Sequence, residues 1–319
     1  MPELTRREAI AALGGLVATS ALPSWGADEP SVFSQRGRFE RLVLAYQHVH
    51  IGLERPFSVL HISDTHLTSA YPDEPSAKQE LRKIRTQTFG GRQEEALRDS
   101  LDWAKRNVDY VVHTGDLIDW QSRANFDLVK KHFGGAMLGA LGNHEFSPSM
   151  WLGEKKPEPT EAFKDLSRAA LASVFPFDIE LQSTVVRGVN FVALDDVYGT
   201  VTARQVARFA DEVKRGLPIV LCLHVPLFTP ALWRADTKFW SADRKFSEGR
   251  KYRPSGDYAR QLADAPTRDF IDDLRREPLL KAILAGHMHI TIQEKFSPTA
   301  TQFVVGGNFM FHGEEILFT

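Results

Sequence analysis

The sequence predicts an α/β protein built in layers. Apolar runs of strand length alternate with amphipathic helical stretches along most of the chain. Several of those runs end in Gly, Asp, Asn or His instead of a tight hairpin turn. With 319 residues and 43% hydrophobic content, there is enough apolar side chain for one large core or two smaller ones.

The elements follow in order. Thr5-Arg6-Arg7-Glu8 precedes a modestly apolar stretch, Ala9 to Leu22, that is short and rich in Gly and Ala for a membrane span. With the small residues from Ser24 to Ala27, this start resembles a twin-arginine export signal over residues 1–27. Ser24 and Gly26 suit the small-residue positions before a cleavage point. The rival reading is an ordinary first helix with a chance Arg-Arg pair. The expected mature body covers 38–319, is periplasmic or extracellular, and has the twin-arginine machinery as a partner. None of its segments is apolar enough to span a bilayer.

Phe39 to Ile51 reads as a strand and Phe57 to Ile62 as a buried one. Gln93 to Asn107 places Ala96, Leu97, Leu101 and Ala104 on one helical face. A strand at Tyr110 to His113, a helix near Arg123 to His132, a short strand from Ala136 to Leu141 and a helix from Glu161 to Val174 come next. Glu180 to Val186 and Asn190 to Leu194 form two strands joined at Arg187-Gly188. Thr202 with Gln205 makes a capping box for a helix that stops near Gly216. Pro218 to Leu223 and Leu279 to Leu284 are strands around a helix at Thr267 to Arg276. Ile290 to Phe296, Gln302 to Val305 and Glu315 to Phe318 close the chain, with antiparallel pairing expected. Two segments, 70–92 and 227–266, are long and show no clean periodicity, so they read as loops or lids.

The charge balance is close to neutral, with 39 Lys+Arg against 41 Asp+Glu. Arg6 and Arg7 cancel Glu3 and Glu8, so the body keeps that balance. A nucleic-acid partner is therefore not expected, since it calls for a basic face. The single cysteine, Cys222, lies in an apolar run and reads as a small buried hydrophobe.

Five motifs stand at strand ends: Asp64-Thr65-His66, Gly115-Asp116-Leu117-Ile118-Asp119, Gly142-Asn143-His144-Glu145, His224 and Gly286-His287-Met288-His289. Sites of α/β sheets are built beyond the carboxyl ends of strands. On extended chain, residues two apart point the same way, so Asp64 and His66, or His287 and His289, can face one ion. Carboxylate, imidazole and amide donors together suit Mn, Fe or Zn better than an all-oxygen Ca or Mg cage. Two such cations about 3.5–4 Å apart can clamp both oxygens of an in-line phosphoryl transfer and acidify a water between them.

In motif type and order, this set resembles the calcineurin-like metallophosphoesterases. The resemblance runs from residue 64 to 289. It implies a four-layer α/β/β/α sandwich, two facing mixed sheets flanked by helices. Asp64, His66 and His289 would hold one metal, Asn143, His224 and His287 the other, with Asp116 bridging. His144 would assist the leaving oxygen, and Asp119 would orient and charge His144. Purple acid phosphatases carry a ligating tyrosine where this chain has Asp119, so the protein is expected to be colourless. The implied activity is hydrolysis of a low-molecular-weight phosphate mono- or diester. A rival from another class is a non-catalytic, metal-loaded scaffold of the cell envelope, although such relatives typically lose a ligand and this chain keeps all of them.

The remaining residues say less. His61 and His113 sit within strands, and His48, His50, His132 and His312 match no motif, so all six read as structural. The basic and aromatic segment Trp233 to Arg253 could cover the site, with Trp233, Arg234 and Trp240 as candidate substrate contacts. Arg92, after Phe89-Gly90-Gly91, is a further candidate.

Overall fold

Two facing mixed sheets, each covered by helices on its outer face, make a four-layer α/β/β/α sandwich. The computed structural model describes residues 31–32, 36–39, 41–133, 137–147, 160–241 and 265–319. The proposed export segment and the stretch 242–264 lie outside the described residues.

One sheet has seven strands: β1 (Ser31–Val32), β7 (Leu181–Val186), β8 (Val189–Leu194), β9 (Ile219–Cys222), β10 (Leu280–Ala285), β11 (Ile292–Lys295) and β12 (Thr301–Val304), in the order β1-β11-β12-β10-β9-β8-β7. The other has six: β2 (Arg36–Phe39), β3 (Leu42–Val49), β4 (Phe57–Ile62), β5 (Tyr110–Thr114), β6 (Met137–Ala140) and β13 (His312–Phe318), in the order β2-β3-β13-β4-β5-β6. β4, β5 and β6 run parallel in one sheet, as do β8, β9 and β10 in the other. The loops after β4, β5, β6, β9 and β10 supply the motif residues.

Alternation along the strands explains the layers. In β4, Phe57 and Val59 face the seven-stranded sheet and join its Phe191, Val220, Leu284 and Phe303, with Ile316 and Phe318 of their own sheet, in one core. Phe57 stacks on Phe318 with ring centroids 5.1 Å apart. Burying each such phenyl contributes about 1.5–3 kcal/mol. Leu60 and Ile62 of β4 face outward against three helices, α2 (Gln93–Asn107), α3 (Arg123–His132) and α4 (Glu161–Ala172). On the other side, Ile219, Leu221 and Ile283 pack under α5 (Ala203–Val213) and α7 (Ala265–Arg276). Thr202 and Gln205 complete the capping box of α5.

Several expectations need correction. The segment 70–92, expected as a loop, contains α1 (Ser76–Thr88). Its composition favours helix, but Leu81 is its one buried residue, so there is no apolar stripe to read. The segment expected as a loop from 227 likewise contains α6 (Pro230–Ser241), whose Leu232 packs against Met288, Ile292 and Val304. β13 closes the chain as expected, but only one of its two pairings is antiparallel. It enters the middle of the six-stranded sheet, antiparallel to β4 and parallel to β3. β12 is antiparallel to β11 but parallel to β10. The sheets also begin before residue 38, because β1 and β2 are edge strands too short to show a period. Among the described residues, no helix is long and apolar enough to cross a membrane.

Candidate metal centre and active site

All five motifs lie at one end of the two sheets, immediately beyond the carboxyl ends of β4, β5, β6, β9 and β10. The chain is not extended there. Asp64, His66, Asp116, His287 and His289 have φ between 52 and 69°, in the left-handed region. Each non-glycine residue so held costs on the order of 1–3 kcal/mol, which the surrounding packing must offset. The pairs Asp64/His66 and His287/His289 therefore converge through tight left-handed turns, not through strand alternation.

Close approach of backbones makes two motif glycines indispensable. A Cβ on Gly115, itself at φ 95°, would sit 2.5 Å from His224 Nδ1. One on Gly286 would collide with Ser63 Oγ and lie 2.6 Å from Asp64 Oδ2.

The side chains gather in two sets with Asp116 at their junction. The ligand atoms of Asp64, His66 and His289 all lie within 4.8 Å of one another, as do those of Asp116, His224 and His287. His289 Nε2 is 3.2 Å from Asp64 Oδ1 and 3.1 Å from His66 Nε2. Asp116 Oδ2 lies 3.8 Å from His66 Nε2 and 3.3 Å from His224 Nε2, between the sets. Asn143 Oδ1 joins the second set, 3.1 Å from His224 Nε2. Asp64, His66, Asp116 and His224 form a buried floor, while Asn143, His287 and His289 are half-buried at the mouth.

Backbone and side-chain partners aim these groups. His224 Nδ1–H donates to the Thr114 carbonyl at 2.7 Å, which leaves Nε2 facing Asp116. Asp64 Oδ2 accepts from the His287 backbone N–H, and Asp116 Oδ1 from that of His144, each at 2.9 Å. Glu145 ties the loops together: its carboxylate accepts from the backbone N–H groups of Asp116, Ile118 and Gly142. Asp196 Oδ1 accepts from the backbone of His224 and Val225, both at 3.1 Å. Sequence reasoning missed Glu145 and Asp196 as loop organisers. The acidic residue closing Gly-Asn-His-Glu was the one available signal.

Asp119 is the hub beside the two sets. Its Oδ1 is 2.9 Å from His66 Nδ1 and 2.8 Å from His144 Nδ1. The His144 Nδ1–H is shared with the Asp119 backbone carbonyl at 3.0 Å. His144 Nε2 is thereby turned to within 3.9 Å of Asp116 Oδ2. Arg85, from α1, donates Nε to Asp119 Oδ2 at 2.6 Å and Nη2 to Oδ1 at 2.9 Å. Arg85 was visible only as one of several cations in the segment 70–92. Phe89 stacks on His66 at 4.4 Å, and Phe309 approaches both Phe89 and His289 edge-on.

The electrostatics follow from buried carboxylates among imidazoles. Burial lowers His224, but Asp116 and Asp64 outweigh it and raise the ring to about 10. Burial also lowers His144, and Asp116 with Asp119 raise it to about 9. Burial would raise the Asp119 carboxyl, yet Arg85 and His144 hold it well below its usual value. Glu145, buried near Asp116, is pushed up to about 7. Carboxylates that draw protons so strongly onto neighbouring rings would also attract divalent cations.

The donor set fits such cations. Asp64 Oδ1 is buried without a hydrogen-bond partner, and two imidazole nitrogens face it at 3.2 and 3.8 Å. Carboxylate oxygen with imidazole nitrogen is a donor set for Mn, Fe or Zn.

The candidate substrate residues are less central. Arg92 pairs with Glu95 at 2.6 Å and lies over Phe311 at 4.6 Å, with half of its side chain exposed; neither partner is a motif residue. Arg234 is exposed on α6. The side chains of Trp233 and Trp240 lie outside the described residues. Of the six histidines read as structural, His61 bonds Thr114 and lies near Glu314, His113 bonds Thr65, His132 pairs with Glu94, and His48 and His50 both reach Thr319.

Residues 57–291 match the calcineurin-like phosphoesterase family. No curated protein matches the chain. Similar solved structures include a dimetal phosphatase from Danio rerio, at 13% identity and TM-score 0.45 over 80% of this chain and 88% of that one. A purple acid phosphatase from yellow lupin (Lupinus luteus) seeds aligns at 13% identity and TM-score 0.46, over 81% and 45%. A 5'-nucleotidase from Candida albicans aligns at 13% and 0.38, over 88% and 47%. This chain thus spans less than half the length of the last two. All three likenesses are distant.

Proposed function

This chain belongs to the calcineurin-like phosphoesterase family, whose members are phosphoester hydrolases with a dinuclear metal centre, and from that premise we propose that it hydrolyses a low-molecular-weight phosphate mono- or diester where Asp64, Asp116 and His144 converge. The observation that carries this reading is the pair of donor sets with Asp116 Oδ2 between them and His144 Nε2 beside them.

Asp64, His66 and His289 would hold one cation and Asn143, His224 and His287 the other, with Asp116 between them. Bound there, two cations of the Mn, Fe or Zn type supply Lewis-acid activation of water and neutralise charge on the phosphoryl oxygens. The chain's own groups do the rest. Asp119 fixes His144 through Nδ1, so Nε2 is the ring atom that can hand a proton to the leaving oxygen or hydrogen-bond a phosphoryl oxygen. Asp119 also accepts from His66 Nδ1, which keeps Nε2 of that ring as the ligand atom. Glu145 and Asp196 hold the loops that carry Asp116, Asn143 and His224 in register.

Export by the twin-arginine route to the periplasm or beyond is part of the reading. It rests on Arg6-Arg7 and the short apolar stretch after them.

The test is hydrolysis of an aryl phosphate and a bis-aryl phosphate by metal-loaded protein, alongside His144→Ala and Asp116→Ala. Turnover of at least one ester, lost in both variants, is expected. If neither ester is cleaved, or both variants keep full activity, the reading is wrong.

A further inference from the structure

One face of α1 follows the site residue by residue. Lys78, Leu81, Arg85 and Phe89 are spaced as successive turns of one helix face. Lys78 Nζ donates to the Gln121 carbonyl at 2.6 Å, and buried Leu81 packs on buried Trp120. Arg85 grips Asp119 with two nitrogens, and Phe89 stacks on His66. The Arg85 guanidinium also lies over the Phe89 ring at 4.7 Å. The helix is thus docked along residues 119 to 121, and its cation reaches a carboxylate with no exposure to solvent.

We propose that Arg85 is a positioning residue of the active site, whose two-pronged grip holds one Asp119 carboxylate against His66 and His144 together and keeps it from serving as a cation ligand. The inference rests on the proposed dinuclear site. Two further observations support it. The ligand atoms of His66, Asp119 and His144 lie within 4.8 Å of one another, a third donor set of the kind that captures a metal. A permanently charged guanidinium on both Asp119 oxygens opposes a second cation there, and its planar fork fixes the carboxylate plane as a lysine could not. With that plane fixed, the acceptor for His66 Nδ1 and the acceptor for His144 Nδ1 are one atom, Oδ1.

The experiment compares wild type, Arg85→Met, Arg85→Lys and Leu81→Ala in the full chain loaded with Mn. It reads metal retention against a chelator by elemental analysis, kcat and KM on an aryl phosphate ester, and Tm. Outer partners of ligating histidines are worth roughly 10–100-fold in metal affinity or activity. Arg85→Met is expected to lose about that much in both retention and kcat, with KM nearly unchanged. Arg85→Lys should recover only part of the loss. Leu81→Ala weakens the same helix without touching Asp119, so it should lower Tm while leaving retention and kcat near wild type.

Wild-type values in Arg85→Met or Arg85→Lys overturn the proposal. So does a Leu81→Ala protein that reproduces the Arg85→Met losses, because the role is then only to hold the helix. If Arg85→Met does not fold, the lysine and alanine variants decide alone. A wild type that retains two cations but cleaves no ester overturns the phosphoesterase reading, while the retention measurements still decide Arg85.

Discussion

His144 and Asp119 meet ring nitrogen to carboxylate, 2.8 Å from Nδ1 to Oδ1, with His144 Nε2 left 3.9 Å from Asp116. The same Asp119 oxygen is 2.9 Å from His66 Nδ1. A group expected to donate a proton and a group expected to bind metal are thus oriented by one atom. Asp119→Asn, which keeps the shape and removes the charge, should lower kcat by about 10–100-fold and weaken metal retention together. Metal retention equal to wild type in that variant would show that His66 does not depend on Asp119. Asp119→Ala should also cost on the order of 3 kcal/mol of stability, since it strands the largely buried Arg85, measurable by urea unfolding.

Gly286 faces Ser63 and Asp64 with no room for a methyl group. Gly286→Ala must displace Asp64, the carboxylate whose buried Oδ1 faces the His289 and His66 rings. The expected outcome is loss of about one cation per chain, read by elemental analysis, and a lower Tm, as overpacking costs about 1–3 kcal/mol.

His61 is wholly buried between the sheets, 2.9 Å from Thr114 Oγ1 and 3.2 Å from Glu314. Burial and the nearby His113 push its ring down to about 3, against 6.5 in an unfolded chain. Below pH 6.5 the unfolded chain takes up a proton that the folded ring refuses. His61 therefore costs stability progressively as pH falls from about 6.5 towards 3, at most about 1.4 kcal/mol per pH unit. His61→Gln should flatten the acid limb of a stability-versus-pH curve, and an unchanged slope would mean that the ring titrates normally.

Asp119 is engaged by Arg85, His66 and His144, and no tyrosine is among the candidate ligand residues. Protein loaded with ferric iron should show no tyrosinate charge-transfer band in the visible spectrum.

Export has a test of its own. Arg6→Lys with Arg7→Lys should hold the protein inside cells that secrete the wild type, as measured by fractionation.

Most of the layered fold was legible in the chain because its strands and outer helices carry their own periods. Gln93–Asn107 and Arg123–His132 form helices over the residues that their patterns mark. α1 was not legible, because it buries Leu81 alone and is held by polar contacts to residues far along the chain. The destination of β13 was hidden for a related reason: an apolar run states that it is a strand, not which sheet it joins.

By itself, the sequence determined the nine motif residues and their places at strand ends, because glycine, carboxylate and imidazole recur there within a few residues. Only the tertiary structure decided that five of them would sit in left-handed turns, that Glu145 and Asp196 would hold the loops, and that Arg85 would grip Asp119. The physical reason is distance along the chain. A ligand motif is local and leaves a local trace, whereas a salt bridge across 34 residues and an imidazole contact across 53 leave none until the sheets bring their ends together.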